Sequence, residues 1–161
     1  MIRRWMVGVV AVATLACAKN HQLTDTSSTV FGLASSNPNV ATFITMLRSS
    51  GVATALQGSE EVTVLAPSNT ALMALGSDRI RALMSEEGAD ELREFVNAHI
   101  FPGSYSAEDV ARGKLPPSVE GTRVVASKAS DGTPRIAKTG KILESMKGSN
   151  GFVHIINTVL R

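Results

Sequence analysis

The sequence predicts an α+β fold, helix-rich in its N-terminal half and strand-rich after it. Three observations lead there. Apolar residues recur at helical spacing over the first hundred positions, β-branched pieces between Gly, Asp-Gly and Asn-Gly turn signals fill the positions after Leu115, and no segment repeats. The chain has 161 residues, 43% apolar and 19% charged. That suits one ordinary domain with a small appendage and a core that needs no staples. The apolar share excludes general disorder, and the single cysteine excludes an internal disulfide framework. With 16 basic against 14 acidic side chains, the net charge of +2 is too weak for a nucleic-acid binder.

The elements follow in order. In SNPNVATFITMLRSSG, Val40, Phe43, Ile44 and Leu47 fall at i, i+3, i+4, i+7 and form one stripe of a helix that starts at Asn37-Pro38 and stops at Gly51. Residues 53–56 add a short helical turn. Residues 61–66 are a β-branched run halted by Pro67 and predict a buried strand. Ser68 or Asn69 caps the next helix, with Leu72, Met73 and Leu75 turned inward. Two helical stretches split by Gly88 span 78–100. The second carries Leu92, Phe95, Val96 and His99 on one stripe, and Pro102-Gly103 ends it. Ser106 to Asp109 has capping-box spacing for a further short helix. Strand pieces are predicted at 122–127, 134–138, 141–146 and 151–160. Asn150-Gly151 suits a tight hairpin turn because both residues tolerate positive φ. The last piece is apolar on both faces apart from His154, Asn157 and Thr158, as a central strand would be.

Two stretches precede this body. Residues 1–16 open with Arg3 and Arg4 and continue as an apolar run from Trp5, shorter than the roughly 20 residues that cross a bilayer. This is the pattern of a secretory signal peptide. Thr14-Leu15-Ala16-Cys17 resembles the lipobox of bacterial lipoprotein signals, which implies a cut before Cys17 and acylation of its thiol; an ordinary signal cut near Ala11-Val12-Ala13 is the alternative. Lipidation accounts for an unpaired thiol in an exported protein, and several acyl chains at about 0.8 kcal/mol per buried CH₂ hold firmly. Removing residues 1–16 takes away Arg3 and Arg4 and no acid, so the remaining chain has 14 basic and 14 acidic side chains. Residues 17–28 are polar and aperiodic, a flexible tether that carries His21. The domain is expected over 29–161.

Three segments carry a resemblance. VTVLAPSNTALMAL (62–75), with Pro67, Ser68 and Asn69, resembles the first box of the fasciclin domain family. NGFVHIINTVL (150–160), with Asn150, Gly151 and His154, resembles its second box. ELREFVNAHIFPGSYSAEDV (91–110), with His99, Pro102 and Gly103, is similar to the central stretch. The resemblance implies a β-sandwich or wedge flanked by helices. Ala98 stands where the family often has Tyr before the central His, a region linked to integrin adhesion in some animal members, so that activity is not carried over. Asn157 stands where Asp is common.

His99 and His154 invite reading as a catalytic or metal pair, but a metal needs three or four ligands and no further His or Cys lies in the domain. On an apolar helix stripe and an apolar strand, each imidazole is expected to hold a buried hydrogen bond instead. Ser68 lies in no G-x-S-x-G elbow, and the glycines form neither G-x-G-x-x-G nor a Walker loop. No catalytic residue, metal or cofactor is expected. Residues 112–147 hold eight basic side chains against three acidic. Of these, Arg123, Lys128, Arg135, Lys138, Lys141 and Lys147 form a candidate face for anionic glycans or headgroups, or else they guard strand edges from pairing. The expected function is a non-catalytic binding or cell-adhesion module. It is exported to the periplasm or cell surface, anchored through lipidated Cys17, and partnered by other proteins or surface glycans rather than nucleic acid. A carrier of a small apolar ligand, a pigment or lipid, is the alternative that the resemblance implies.

Overall fold

Thr29 begins the first helical element. Its hydroxyl accepts the Gly32 N–H at 3.2 Å and caps helix α1 (Val30–Ser36). The computed structural model describes residues 28–160; the leader, Cys17 and residues 17–27 lie outside the described residues. Asn37 then caps a 3-10 turn (Pro38–Val40) that runs into α2 (Ala41–Ser49). Val40, Phe43, Ile44 and Leu47 are all buried, as their spacing requires. Gly51 takes a left-handed φ of 75° and a second 3-10 turn follows (Val52–Gln57).

Strand β1 (Val62–Pro67) leads through the Ser68 cap into the short helix α3 (Asn69–Met73), and Ser68 Oγ accepts the Ala71 N–H at 3.2 Å. Leu72 is buried as expected, but Met73 is 74% exposed. The helix is barely one turn long, so its far side faces water. Helices α4 (Ser77–Leu83) and α5 (Ala89–Asn97) are separated at Gly88, where a Cβ would lie 2.0 Å from the Ala82 carbonyl oxygen. Helix α5 ends earlier than predicted. Residues Ile100–Pro102 form β2, pulled out of the helix by antiparallel pairing with β1. Helix α6 (Ala107–Ala111) has the predicted capping box complete, and Asp109 also meets Lys114 Nζ at 2.8 Å. Lys114 and the Ser106 hydroxyl hold the Asp109 carboxyl at about 2.

The remaining strands are β3 (Ala126–Lys128), β4 (Pro134–Ile136), β5 (Gly140–Gly148) and β6 (Gly151–Ile156). The sheet runs β2-β1-β6-β5-β4-β3, with β1 parallel to β6 and the other pairs antiparallel. Strand β6 is therefore central, as its two-faced apolarity predicted, although it stops at Ile156.

Period-2 alternation divides the interior in two. Val64, Ala66, Val153 and Ile155 face the helices α1, α2 and α5, with Phe43, Met46, Leu47 and Val96. Leu65 and Ile156 face the other way, against Phe101, Val110, Ile136 and Leu160. The sheet therefore curls until β4 and α6 cover its second face, and a register shift between Ile142 and Glu144 marks the bend. The α+β class and the wedge flanked by helices are the architecture found.

Candidate functional site

Asn150 belongs to the two-residue link between β5 and β6, where Gly148 pairs with Gly151. Of the predicted turn pair only Gly151 has positive φ, 139°, and a Cβ there would lie 1.7 Å from the Val62 carbonyl oxygen. Asn150 does something else. Its Oδ1 accepts the Val30 N–H at 2.8 Å, and its Nδ2 donates to the Leu56 and Gly58 carbonyls at 3.0 and 2.9 Å. Its own carbonyl accepts the Val62 N–H at 2.9 Å. One buried asparagine thus joins the start of α1 and the second 3-10 turn through its side chain, and β1 through its backbone, to the hairpin.

A second polar run crosses the sheet. The Ser145 hydroxyl donates to His154 Nδ1 at 2.8 Å, and His154 Nε2–H donates to the Tyr105 carbonyl at 2.8 Å. The Tyr105 N–H donates to Thr63 Oγ1 at 2.9 Å, and the Thr63 hydroxyl donates to the Gly103 carbonyl at 2.7 Å. Pro102-Gly103 is the turn that this run clamps, and Phe152 stacks on the His154 ring at 5.8 Å. Burial lowers the His154 pKa against the pull of the Tyr105 carbonyl.

His99 sits at the other end of the interior, fully buried between Phe43 and Phe95. Its Nδ1–H donates to the Phe95 carbonyl at 2.7 Å, and its Nε2 accepts the Leu160 N–H at 3.1 Å. Burial pushes it down to about 4, with the Phe95 carbonyl acting in opposition. The two histidines are therefore neutral in opposite tautomers, and neither ring nitrogen is left for a substrate. Ser68 caps α3, while Asn69 bridges elements: its Oδ1 accepts the Thr42 N–H at 3.1 Å and its Nδ2 donates to the Pro38 carbonyl at 2.9 Å.

Ser145 and His154 meet at a nucleophile–base distance, but the far ring nitrogen is held by a carbonyl oxygen rather than a carboxylate. Among the described residues, no three or more His, Cys, Asp or Glu gather as metal ligands would, and no helix is long and apolar enough to cross a membrane. Thr63, Tyr105 and Ser145 did not stand out in the sequence. Thr63 alone left a signal, as the one hydroxyl in the apolar run 62–67.

The six candidate cations are all exposed, and none takes part in an ion pair among the described residues. Arg135 and Lys141 are cross-strand partners, and Lys128 lies at the end of the edge strand β3. Near the first two is Asp131, whose carboxyl Thr133 holds below its ordinary range, with smaller contributions from Lys141 and Arg135. Arg123 and Lys138 instead line a groove of about 430 Å³ with Thr122, Val124, Val125, Ala137, Val159 and Leu160. Lys147 is remote from both, its Nζ 5.8 Å above the Phe152 ring.

Residues 38–161 match the family model described as the fasciclin domain. The chain belongs to the fasciclin domain family. It is 28% identical over 137 residues to protein sll1483 of Synechocystis, spanning 85% of this chain and 75% of that one. It is 30% identical over 114 residues to the transforming growth factor-beta-induced protein ig-h3 of Sus scrofa, spanning 69% of this chain but only 16% of that protein. Among solved structures, a fasciclin domain pair from the insect cell adhesion molecule Fasciclin I aligns with a TM-score of 0.74 at 16% identity, over 83% of this chain and 51% of that one. At that identity the likeness is one of fold. Helix α1 precedes the matched residues, yet the fasciclin body holds it in place. The Asn150 amide accepts from Val30, and a Cβ at Gly148 would lie 2.9 Å from the Val30 nitrogen. Asn157 directs its Oδ1 to the Lys141 N–H. Ala98 is buried.

Proposed function

We propose that this fasciclin domain is a non-catalytic binding module of the cell surface or periplasm. It would engage other proteins or surface glycans and be held to the envelope through lipidated Cys17. The observation that carries the reading is the fate of its polar interior. Among the described residues, every buried side-chain nitrogen and oxygen has a hydrogen-bond partner. His154, Asn150 and Asn69 spend their donors and acceptors on backbone from other segments or on Ser145, His99 on the Phe95 carbonyl four residues back and on Leu160, and Ser68 on the cap of its own helix. Chemistry that needs a free base or nucleophile has little to draw on, whereas the exposed surface carries unneutralised charge. The family's presence in an insect cell adhesion molecule supports the same reading.

On this reading affinity arises from surface charge and from many copies on one membrane. A single weak contact gains strongly when its neighbours are tethered beside it. Two measurements test it. Intact mass of membrane-extracted protein is expected to show acyl groups on a chain beginning at Cys17, absent in Cys17→Ser; an unmodified chain in the medium would refute the anchor. Retention on an anionic glycan column is expected to fall with added salt and to be lost when Lys128, Arg135 and Lys141 are changed to Glu. Indifference to the column would refute the charged face and leave edge protection as the role of these side chains.

A further inference from the structure

The groove lined by residues 122–125, 137–138 and 159–160 combines two features. Val125, Ala137 and Val159 give it apolar walls over the buried Leu160, and Val125 is 75% exposed. Arg123 and Lys138 line the same groove, both exposed and neither in an ion pair among the described residues. Its backbone is fixed from two sides. The Ala137 N–H donates to the Val125 carbonyl at 2.9 Å, and His99 Nε2 holds the Leu160 N–H. A volume of about 430 Å³ falls within the span of small-molecule sites, roughly 300–1,000 Å³.

We propose that this groove binds one free, single-chain amphiphile with an anionic oxygen head, a long-chain carboxylate. The alkyl chain would lie on Val125, Ala137 and Val159, and the head would meet Arg123 and Lys138. Charge complementarity selects the anion: the guanidinium and the ammonium that line this apolar slot carry two positive charges that a neutral alkyl ligand would not satisfy. Arginine adds a planar pair of donors that match a carboxylate. The apolar walls in turn exclude a small hydrophilic anion as the best occupant. Solution and a membrane both supply such heads, but a groove of this volume with two cations suits one chain and one head taken up as a monomer.

The test uses the full chain and dodecanoate, kept below the concentration at which it forms micelles and followed by titration calorimetry. Saturable one-to-one binding is expected. Affinity is expected to fall at least tenfold in the Arg123→Ala/Lys138→Ala double variant and in Val125→Asp, with thermal melts confirming that each folds. Dodecanol is expected to bind at least tenfold more weakly than dodecanoate, and acetate not measurably. The Lys128→Ala/Arg135→Ala variant, altered outside the groove, is expected to bind dodecanoate as the parent does. Equal affinity in the groove variants, equal affinity for dodecanol, or binding only to anionic phosphatidylglycerol vesicles would each overturn the proposal. Failure of the glycan-column test leaves this result untouched, because the substitutions made there are not in the groove.

Discussion

Replacing Asn150 by alanine removes a side chain that is 4% exposed and makes three hydrogen bonds to backbone far away in sequence. The Val30 N–H and the Leu56 and Gly58 carbonyls lose their partner together. A buried group left unpaired costs about 1–3 kcal/mol. Water reaches the Gly58 carbonyl more readily than the other two groups, and neighbouring losses are not additive, so the expected destabilisation is about 3–5 kcal/mol. For a domain of this size each kcal/mol moves the melting point by about 3–5 °C, which gives a drop of roughly 10–20 °C. Urea unfolding followed by circular dichroism is the assay, with Asn39→Ala, an exposed asparagine on the first 3-10 turn, as the reference. Asn150→Asp keeps the acceptor for Val30 but turns a carboxylate toward two carbonyl oxygens. It is expected to be destabilised as well, more at neutral than at acid pH. A midpoint for Asn150→Ala within error of Asn39→Ala would refute the view that this amide ties the first helix to the hairpin.

Other consequences are open to the same instruments. Thr63→Val keeps the shape but strips the hydroxyl from the Gly103 and Tyr105 backbone groups, and is expected to cost about 1–3 kcal/mol by urea midpoint. Ala137 is the sole non-glycine with positive φ among the described residues, at 55°. Ala137→Gly is expected to leave stability level or raise it by up to about 1 kcal/mol, whereas Ala137→Val should lower it. His99 is held at about 4 against an ordinary value of 6.5, so between those two pH values the unfolded chain binds a proton that the folded chain refuses. Stability is thus expected to fall as pH drops from 6.5 toward 4, by up to about 3 kcal/mol from this group, with His154 acting in the same direction. A melting point flat across that window would contradict both burial assignments.

What the sequence revealed divides along physical lines. Helices α2 and α5 were legible because a buried stripe must repeat every three to four residues, and β6 because a strand buried on both faces is apolar throughout. Strand β2 was hidden, since Ile100 and Phe101 continue the α5 pattern and only pairing with β1 turns them into a strand. Strands β3 and β4 were expected at 122–127 and 134–138 and form over Ala126–Lys128 and Pro134–Ile136; their short bounds are set by pairing and by their cover over Leu65 and Ile156, which local propensity does not register. The motif positions themselves were visible, yet their bonding was not. Asn150 read as a turn former and does sit in the hairpin turn, but it is also the partner of Val30, Leu56 and Gly58, while Thr63 and Ser145 gained meaning only when the sheet brought Tyr105 and His154 beside them. The six cations formed one group in the sequence, but the fold spreads them among a cross-strand pair with an edge lysine, a groove and an aromatic neighbour.

Nitrogen-15 correlation spectra of the imidazole rings examine the core idea, an interior whose polar groups are already engaged, at the two atoms that matter most. At neutral pH, His99 should carry its proton on Nδ1 and His154 on Nε2, with His99 titrating near 4 and His154 below its ordinary value. Rings that exchange between tautomers, titrate near 6.5, or shift when zinc is added would show unclaimed nitrogens there and contradict it.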